Sequence, residues 1–193
     1  QGKTIMFMRT KHGVDRQVKK LRRAGIDAQG LHGDKGQGAR TRALEGFASG
    51  STPVLVATDI AARGIDVDDV SLVVHVDPPA EHKAYLHRAG RTARAGTSGT
   101  VVTLVMDDQA KEVAQLLRKA GVEAPEIKVA PMSESLVTIT GARKPEGAPL
   151  PPPGQPQQPK RGSGSGHRRA GGNRNGNTSR ARRADRSRRR SGR

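Results

Sequence analysis

PVLVATDIAARGID, residues 53–66, opens as a run of apolar residues and passes without a spacer into a segment that begins with Thr58 and Asp59. Val54, Leu55 and Val56 offer no polar face, so a strand built from them is buried on both sides. Strands of that kind belong to parallel sheets with helices packed on either face. Thr58 is a residue type that caps the helix to follow. The same alternation runs outward in both directions. Residues 4–8 (TIMFM), 27–31, 72–76 (LVVHV, closed by Pro78 and Pro79) and 100–105 (TVVTLV) read as further strands. Residues 11–24 place Val14, Val18 and Leu21 at helical spacing and stop at Gly25. Residues 39–48 (with Ala43, Leu44 and Phe47 on one side), 80–89, and 108–120 before Gly121 read as helices too. The expected architecture is α/β, a parallel sheet with helices on both faces. Ligands of such sheets bind beyond the carboxyl ends of the strands, and the functional segments are expected there.

Charge divides the chain. The 193 residues carry a net charge of +17, which points to a polyanionic partner, most often nucleic acid. Residues 151–193 hold 13 Lys and Arg against the single acid Asp185, a net of +12. The first 150 residues hold 22 basic and 17 acidic residues, a net of +5, ordinary for a folded domain. The expected division is a folded domain over 1–135, a Pro/Gly/Gln-rich linker over 136–159, and an Arg/Gly/Ser-rich basic tail over 160–193. That tail has too little apolar surface to offset chain entropy and is expected to be disordered. Cysteine is absent, which excludes a disulfide framework and a thiolate metal site and fits a reducing, cytoplasmic setting. No apolar run reaches the roughly 20 residues of a membrane span. Phe7, Phe47 and Tyr85 are the only aromatics, too few for a base-stacking module.

Three segments carry chemistry. In YLHRAGRTARAG, residues 85–96, one His and three Arg stand at fixed offsets among small residues that let a backbone approach a ligand. Arg91 and Arg94, three apart, present permanently charged planar forks that can stabilise the charge building on a transferring phosphoryl group. A solvated basic turn is the plainer alternative. In residues 57–66, Thr58 either caps a helix or reaches a phosphate oxygen, and Asp66 suits a ribose hydroxyl. In LHGDKGQGAR, residues 31–40, Gly33 before a helix start can expose backbone N–H groups to an anion. Taken alone, an ordinary strand-to-helix turn explains that segment as well. Arg9, Thr10 and Lys11 after the first strand are a weaker signal.

Together and in this order, the segments resemble the C-terminal RecA-like lobe of the DEAD-box ATP-dependent RNA helicases of superfamily 2. IMFMRTK (5–11) is similar to that family's motif IV, LHGDKGQGAR to its HGD turn and QxxR element, ATDIAARGID (57–66) to motif V and YLHRAGRTARAG to motif VI. The resemblance covers roughly residues 4–130. It implies that Arg91 and Arg94 contact the ATP γ-phosphate and that His87 couples motif VI to the other lobe. It implies that Gly64 and Asp66 lie near the ATP ribose. Arg88, grouped with these cofactor contacts, also supports the packing of motifs V and VI. Thr10, Lys11, Gly33, Arg40, Thr58 and Arg63 then hold the RNA sugar-phosphate backbone or brace that surface, so RNA is bound without sequence preference. Ala89, Ala93 and Arg9 depart from the family pattern, and Ala93 places a methyl group where glycine is usual.

Gly2-Lys3-Thr4 imitates the end of a Walker A loop, but Thr4 enters a strand rather than a helix. No Asp-Glu-Ala-Asp run is present. The ATP-cradling loop and the acids that hold Mg2+ are therefore expected on an N-terminal lobe, and the chain, which has no initiator Met, is expected to begin inside a longer protein. The reading is the C-terminal half of an ATP-driven RNA-unwinding enzyme, inactive by itself, with RNA and an N-terminal RecA-like lobe as partners and no membrane association. A free-standing RNA-binding lobe and a DNA-directed superfamily 2 helicase are the alternatives.

Overall fold

A computed structural model describes residues 2–153 except 66, 68, 95 and 97. The expected basic tail therefore lies outside the described residues, as does Asp66. Five strands form one sheet: β1 (Lys3–Phe7), β2 (Ala28–Leu31), β3 (Val54–Ala57), β4 (Val70–His75) and β5 (Thr100–Thr103). Their order is β2-β3-β1-β4-β5, and every neighbouring pair is parallel. The helices are α1 (Lys11–Arg23), α2 (Gln37–Ala48), α3 (Asp59–Ala62), α4 (His82–Ala89), α5 (Ala110–Ala120) and α6 (Glu134–Thr140). No helix among the described residues is long and apolar enough to cross a membrane.

Strand alternation sorts the core onto the two faces. Ile5, Phe7, Leu55, Ala57 and Val73 point to one side, where Ala43 and Phe47 of α2 and Ala61 and Ala62 of α3 cover them. Met6, Met8, Val54 and Val56 point to the other, against Val14, Val18 and Leu21 of α1. The helices after β1 and β3 thus leave for opposite faces although those strands are neighbours. This is a topological switch point, where the carboxyl ends of the strands open a crevice. Thr10 ends the chain's passage out of β1 by capping α1, its Oγ1 accepting from the Gly13 N–H at 3.0 Å. α5 ends as read, on Gly121 at φ 67°.

Sequence and structure differ at the carboxyl-terminal part of the lobe. The stretch read from composition as linker starts inside α6, and residues 147–151 of it are seated on α1. Leu150 N–H donates to the Arg22 carbonyl at 2.8 Å, and Arg22 Nε donates to the Pro151 carbonyl at 2.5 Å. A β-carbon on Gly25, itself at φ 82°, would collide with the Gly147 backbone. Arg22 is buried as a result and pairs with Asp27. Proline and glycine suppress helix and strand, but they leave carbonyls free to accept, and composition does not register that.

His75, at the carboxyl end of β4, is fully buried. It stands edge-on between Phe7 and Tyr85, with ring centroids 6.1 and 5.1 Å away. Its Nδ1 meets Thr103 Oγ1 at 2.9 Å. Burial, with the nearby Arg88 charge, pushes its pKa down to about 3. The unfolded imidazole protonates near pH 6.5 and the folded one does not, so stability present above that pH is lost as the solution is acidified. Between pH 7.5 and pH 5 the lobe is expected to lose about 2 kcal/mol from this group. Urea denaturation at the two pH values reads it, and His75→Phe should abolish most of the difference.

Candidate functional site

The residues singled out in the sequence fall into two groups rather than one. The first occupies the carboxyl edge of the sheet, as expected. Thr10 and Lys11 follow β1, and Thr58 follows β3, so these three flank the switch point. Gly33 follows β2 one strand further out, exposed, with open space where a side chain would stand. Thr58 stands in the N-cap position of α3, yet its side chain makes no capping hydrogen bond. Thr10 accepts with its oxygen and keeps its O–H for donation. Lys11 Nζ donates to Asp34 at 2.6 Å, and that hydrogen bond holds the Asp34 carboxyl below its ordinary range. Both partners are solvent-exposed, so the pair is easily exchanged for a phosphate. Arg40 lies half-buried in the first turn of α2, and Arg63, exposed, ends α3. The edge thus presents hydroxyls and cations to an anion.

The second group sits elsewhere, and the expectation that every motif falls at the carboxyl ends is corrected here. α4 runs back along the sheet, so motif VI ends near the amino ends of β4 and β5. The Thr92 hydroxyl donates to the carbonyl of Val70, the first residue of β4. Arg91 Nη1 donates to the Ile65 carbonyl at 2.7 Å, and Arg94 Nε to the Gly90 carbonyl at 2.8 Å. His87 is exposed on α4, and Gly64 takes φ 76° where the chain turns beneath Arg91. Ala93 adopts φ 55°, a left-handed conformation that a β-carbon disfavours and glycine accepts freely. The methyl group flagged in the sequence does occupy a strained turn.

Arg88 joins the two groups. Grouped above with cofactor contacts, it is 2% exposed and enclosed by protein. Its Nε and Nη2 donate to the two carboxylate oxygens of Asp59 at 2.6 and 2.8 Å. Its Nη1 donates to the Asp77 carbonyl at 2.7 Å, and the guanidinium lies 5.1 Å from the Phe7 ring centre. Asp59 adjoins Thr58, and the Asp77 carboxylate accepts from the Arg9 N–H at 2.7 Å. One buried side chain therefore fastens α4, which carries His87 and leads to Arg91 and Arg94, to Asp59 beside Thr58 after β3 and to Asp77 after β4, which in turn accepts from Arg9 after β1.

Sequence reasoning missed Asp59, Asp77 and Gly99. The first was noted only beside Thr58 at a helix start and the second drew no reading; only the fold brings them to Arg88. Gly99 carried no signal, yet a β-carbon there would lie 2.8 Å from Ala93 N and closer still to Thr92 Oγ1. Gly99→Ala is expected to displace the motif VI turn and destabilise the lobe by about 1–3 kcal/mol, measurable by thermal melting.

Among protein families, the helicase conserved C-terminal domain matches residues 1–96. DEAD-box ATP-dependent RNA helicase 30 of Arabidopsis thaliana is 41% identical over 143 residues, 72% of this chain and 23% of that protein. The probable ATP-dependent RNA helicase DDX17 of Homo sapiens is 42% identical over 118 residues, 61% of this chain and 16% of that protein. The chain spans about a quarter or less of the length of these curated relatives. Among solved structures, E. coli DEAD-box protein SrmB bound to regulator of ribonuclease activity A superposes with a TM-score of 0.62 at 40% identity. That match covers 67% of this chain and 76% of the other. S. cerevisiae Dbp5 bound to RNA and ADP BeF3 gives a TM-score of 0.59 at 32% identity, over 64% of this chain and 33% of the other. A parallel five-stranded RecA-like sheet, the ordered run of motifs and these matches agree: the chain belongs to the DEAD-box RNA helicases, as their C-terminal lobe.

Proposed function

We propose that this lobe works as the C-terminal half of an ATP-dependent RNA helicase, joining an RNA-backbone surface at the carboxyl edge to a phosphate-facing arginine pair after α4. The observation that carries the reading is the Arg88 tie between them. Asp59 directly follows Thr58, Asp77 lies after β4 and accepts from the N–H of Arg9 next to Thr10, and Arg88 is three residues from Arg91. A shift at either group is transmitted through one bidentate ion pair and one carbonyl bond.

Thr10, Lys11, Gly33, Arg40, Thr58 and Arg63 are assigned to the sugar-phosphate backbone, which carries no base information. Arg91 and Arg94 are assigned to the γ-phosphate of ATP in the closed state, where they stabilise developing charge. His87, exposed on the same helix, is assigned to the facing N-terminal lobe, and Gly64 and Asp66 to the ribose side. The Mg2+ that accompanies ATP is assigned to the N-terminal lobe. Closure of the two lobes on ATP and RNA assembles the site, and hydrolysis reopens it.

Thr58→Val is expected to weaken binding of a single-stranded RNA by about 1 kcal/mol, roughly fivefold, with equal effect on unrelated sequences. Fluorescence anisotropy with two RNAs of different sequence reads this. An unchanged affinity, or a loss confined to one sequence, would count against the assignment.

A further inference from the structure

We propose that the outer face of α1 is a second RNA-backbone surface, continuous with the carboxyl edge and not part of the motif array. The inference extends the RNA reading above and rests on it. α1 contains Lys11, Arg16, Lys19, Lys20, Arg22 and Arg23 against one acid, Asp15, a net of +5. The first 150 residues together carry 22 basic and 17 acidic residues, so outside α1 they balance at 16 and 16. The whole cationic excess of the folded lobe is therefore on this helix.

Its placement is not that of a general solvated coat. Val14, Val18 and Arg22 turn inward, and Arg22 is consumed by Asp27 and Pro151. At about 100° per residue, His12, Arg16, Lys19, Lys20 and Arg23 fall within roughly 100° of the helix circumference. All five are exposed. Asp15, the single acid, is already committed to Lys35 at 2.8 Å and His32 at 3.2 Å. Among the described residues Arg16, Lys19, Lys20 and Arg23 make no ion pair. Arg16 and Lys20, like Lys19 and Arg23, are four apart, a spacing at which like charges weaken a helix. A face kept for folding alone would have mixed signs. From His12 to Arg23 the stripe runs roughly 16 Å, which matches about five phosphates at about 3.4 Å per nucleotide of one strand. Its upper end is Lys11, beside Thr10, so a strand crossing the switch point meets it directly.

The chain has no cysteine, which permits a clean test in the 193-residue chain. Lys20→Cys and, on the exposed face of α5, Gln115→Cys are each labelled with a photoactivatable azidophenacyl group. Each is irradiated with an RNA hairpin bearing a single-stranded overhang. Label at position 20 is expected to crosslink strongly and label at 115 weakly. In parallel, replacing Arg16, Lys19, Lys20 and Arg23 by Gln should reduce the slope of log K against log salt by about 3. Equal crosslinking from the two positions, or an unchanged slope, overturns the proposal. So does retention on phosphatidylserine vesicles through these four residues without RNA crosslinking. If Thr58→Val leaves affinity unchanged while position 20 still crosslinks, the carboxyl-edge assignment fails and the α1 surface stands.

Discussion

Arg91→Ala, introduced into the proposed two-lobed helicase, is expected to lower RNA-stimulated ATP turnover by about a thousandfold or more, with RNA affinity changed little. Arg94→Ala should behave similarly. A fixed guanidinium stabilises charge that appears only as the phosphoryl group moves, so its removal falls on kcat more than on KM. If Arg91 has the proposed role, Lys is expected to be a poor substitute. Arg91 donates through Nη1 to the Ile65 carbonyl at 2.7 Å and through Nε to the His87 carbonyl at 3.3 Å. A guanidinium holds five N–H donors in one fixed plane, whereas an ammonium is a single point and cannot reproduce both carbonyl contacts in the same geometry. Arg91→Lys is therefore expected to recover less than a tenth of the lost rate. Steady-state phosphate release with saturating RNA, and RNA binding by anisotropy, separate the two effects.

Arg88→Ala is expected to cost about 3 kcal/mol of stability, a loss of roughly 6–12 °C in melting temperature for a lobe of this size. The side chain is 3% exposed and makes three hydrogen bonds and a ring contact, so its removal leaves a hole in the core and an abandoned Asp59 carboxylate. Asp59 is 39% exposed and can recover part of its hydration, which keeps the loss below that of a wholly buried pair. Arg88→Met fills much of the volume and should recover at least about 1 kcal/mol, since an apolar replacement removes the buried charge. If Arg88 transmits between the two groups, Arg88→Met in the full-length enzyme still weakens RNA stimulation of ATP turnover although the lobe is folded. Stability is read by thermal melting, coupling by the ratio of turnover with and without RNA.

The sheet was legible because its strands are made of residues with no polar alternative. PVLVA and LVVHV can only be buried, and helices of 13, 12, 4 and 8 residues separate the successive strands. Boundaries moved by a residue or two, as at Pro53, whose carbonyl accepts from Thr4 N–H just outside β3. The motif residues were legible as a set because Arg, Gly and Thr at fixed offsets have few structural uses in common. What could not be read was their division into two places. The strand-end rule depends on topology, and α4 carries motif VI back down the sheet. Arg88 was ambiguous for the same reason, since its partners Asp59 and Asp77 lie 29 and 11 positions away. Segment 147–151 was hidden by composition, because its bonds are made by backbone carbonyls and an N–H that proline-rich sequence does not advertise. The α1 stripe was visible in the residues, but only burial separates Arg22 from the four cations that face outward.

The most direct test is phosphate release from ATP, with and without RNA, by the purified 193-residue chain alone and by the same chain joined to an N-terminal RecA-like lobe. The account predicts no release from the chain alone under either condition and RNA-stimulated release from the two-lobed protein. RNA-stimulated release by the chain alone, in the absence of any N-terminal lobe, would contradict it.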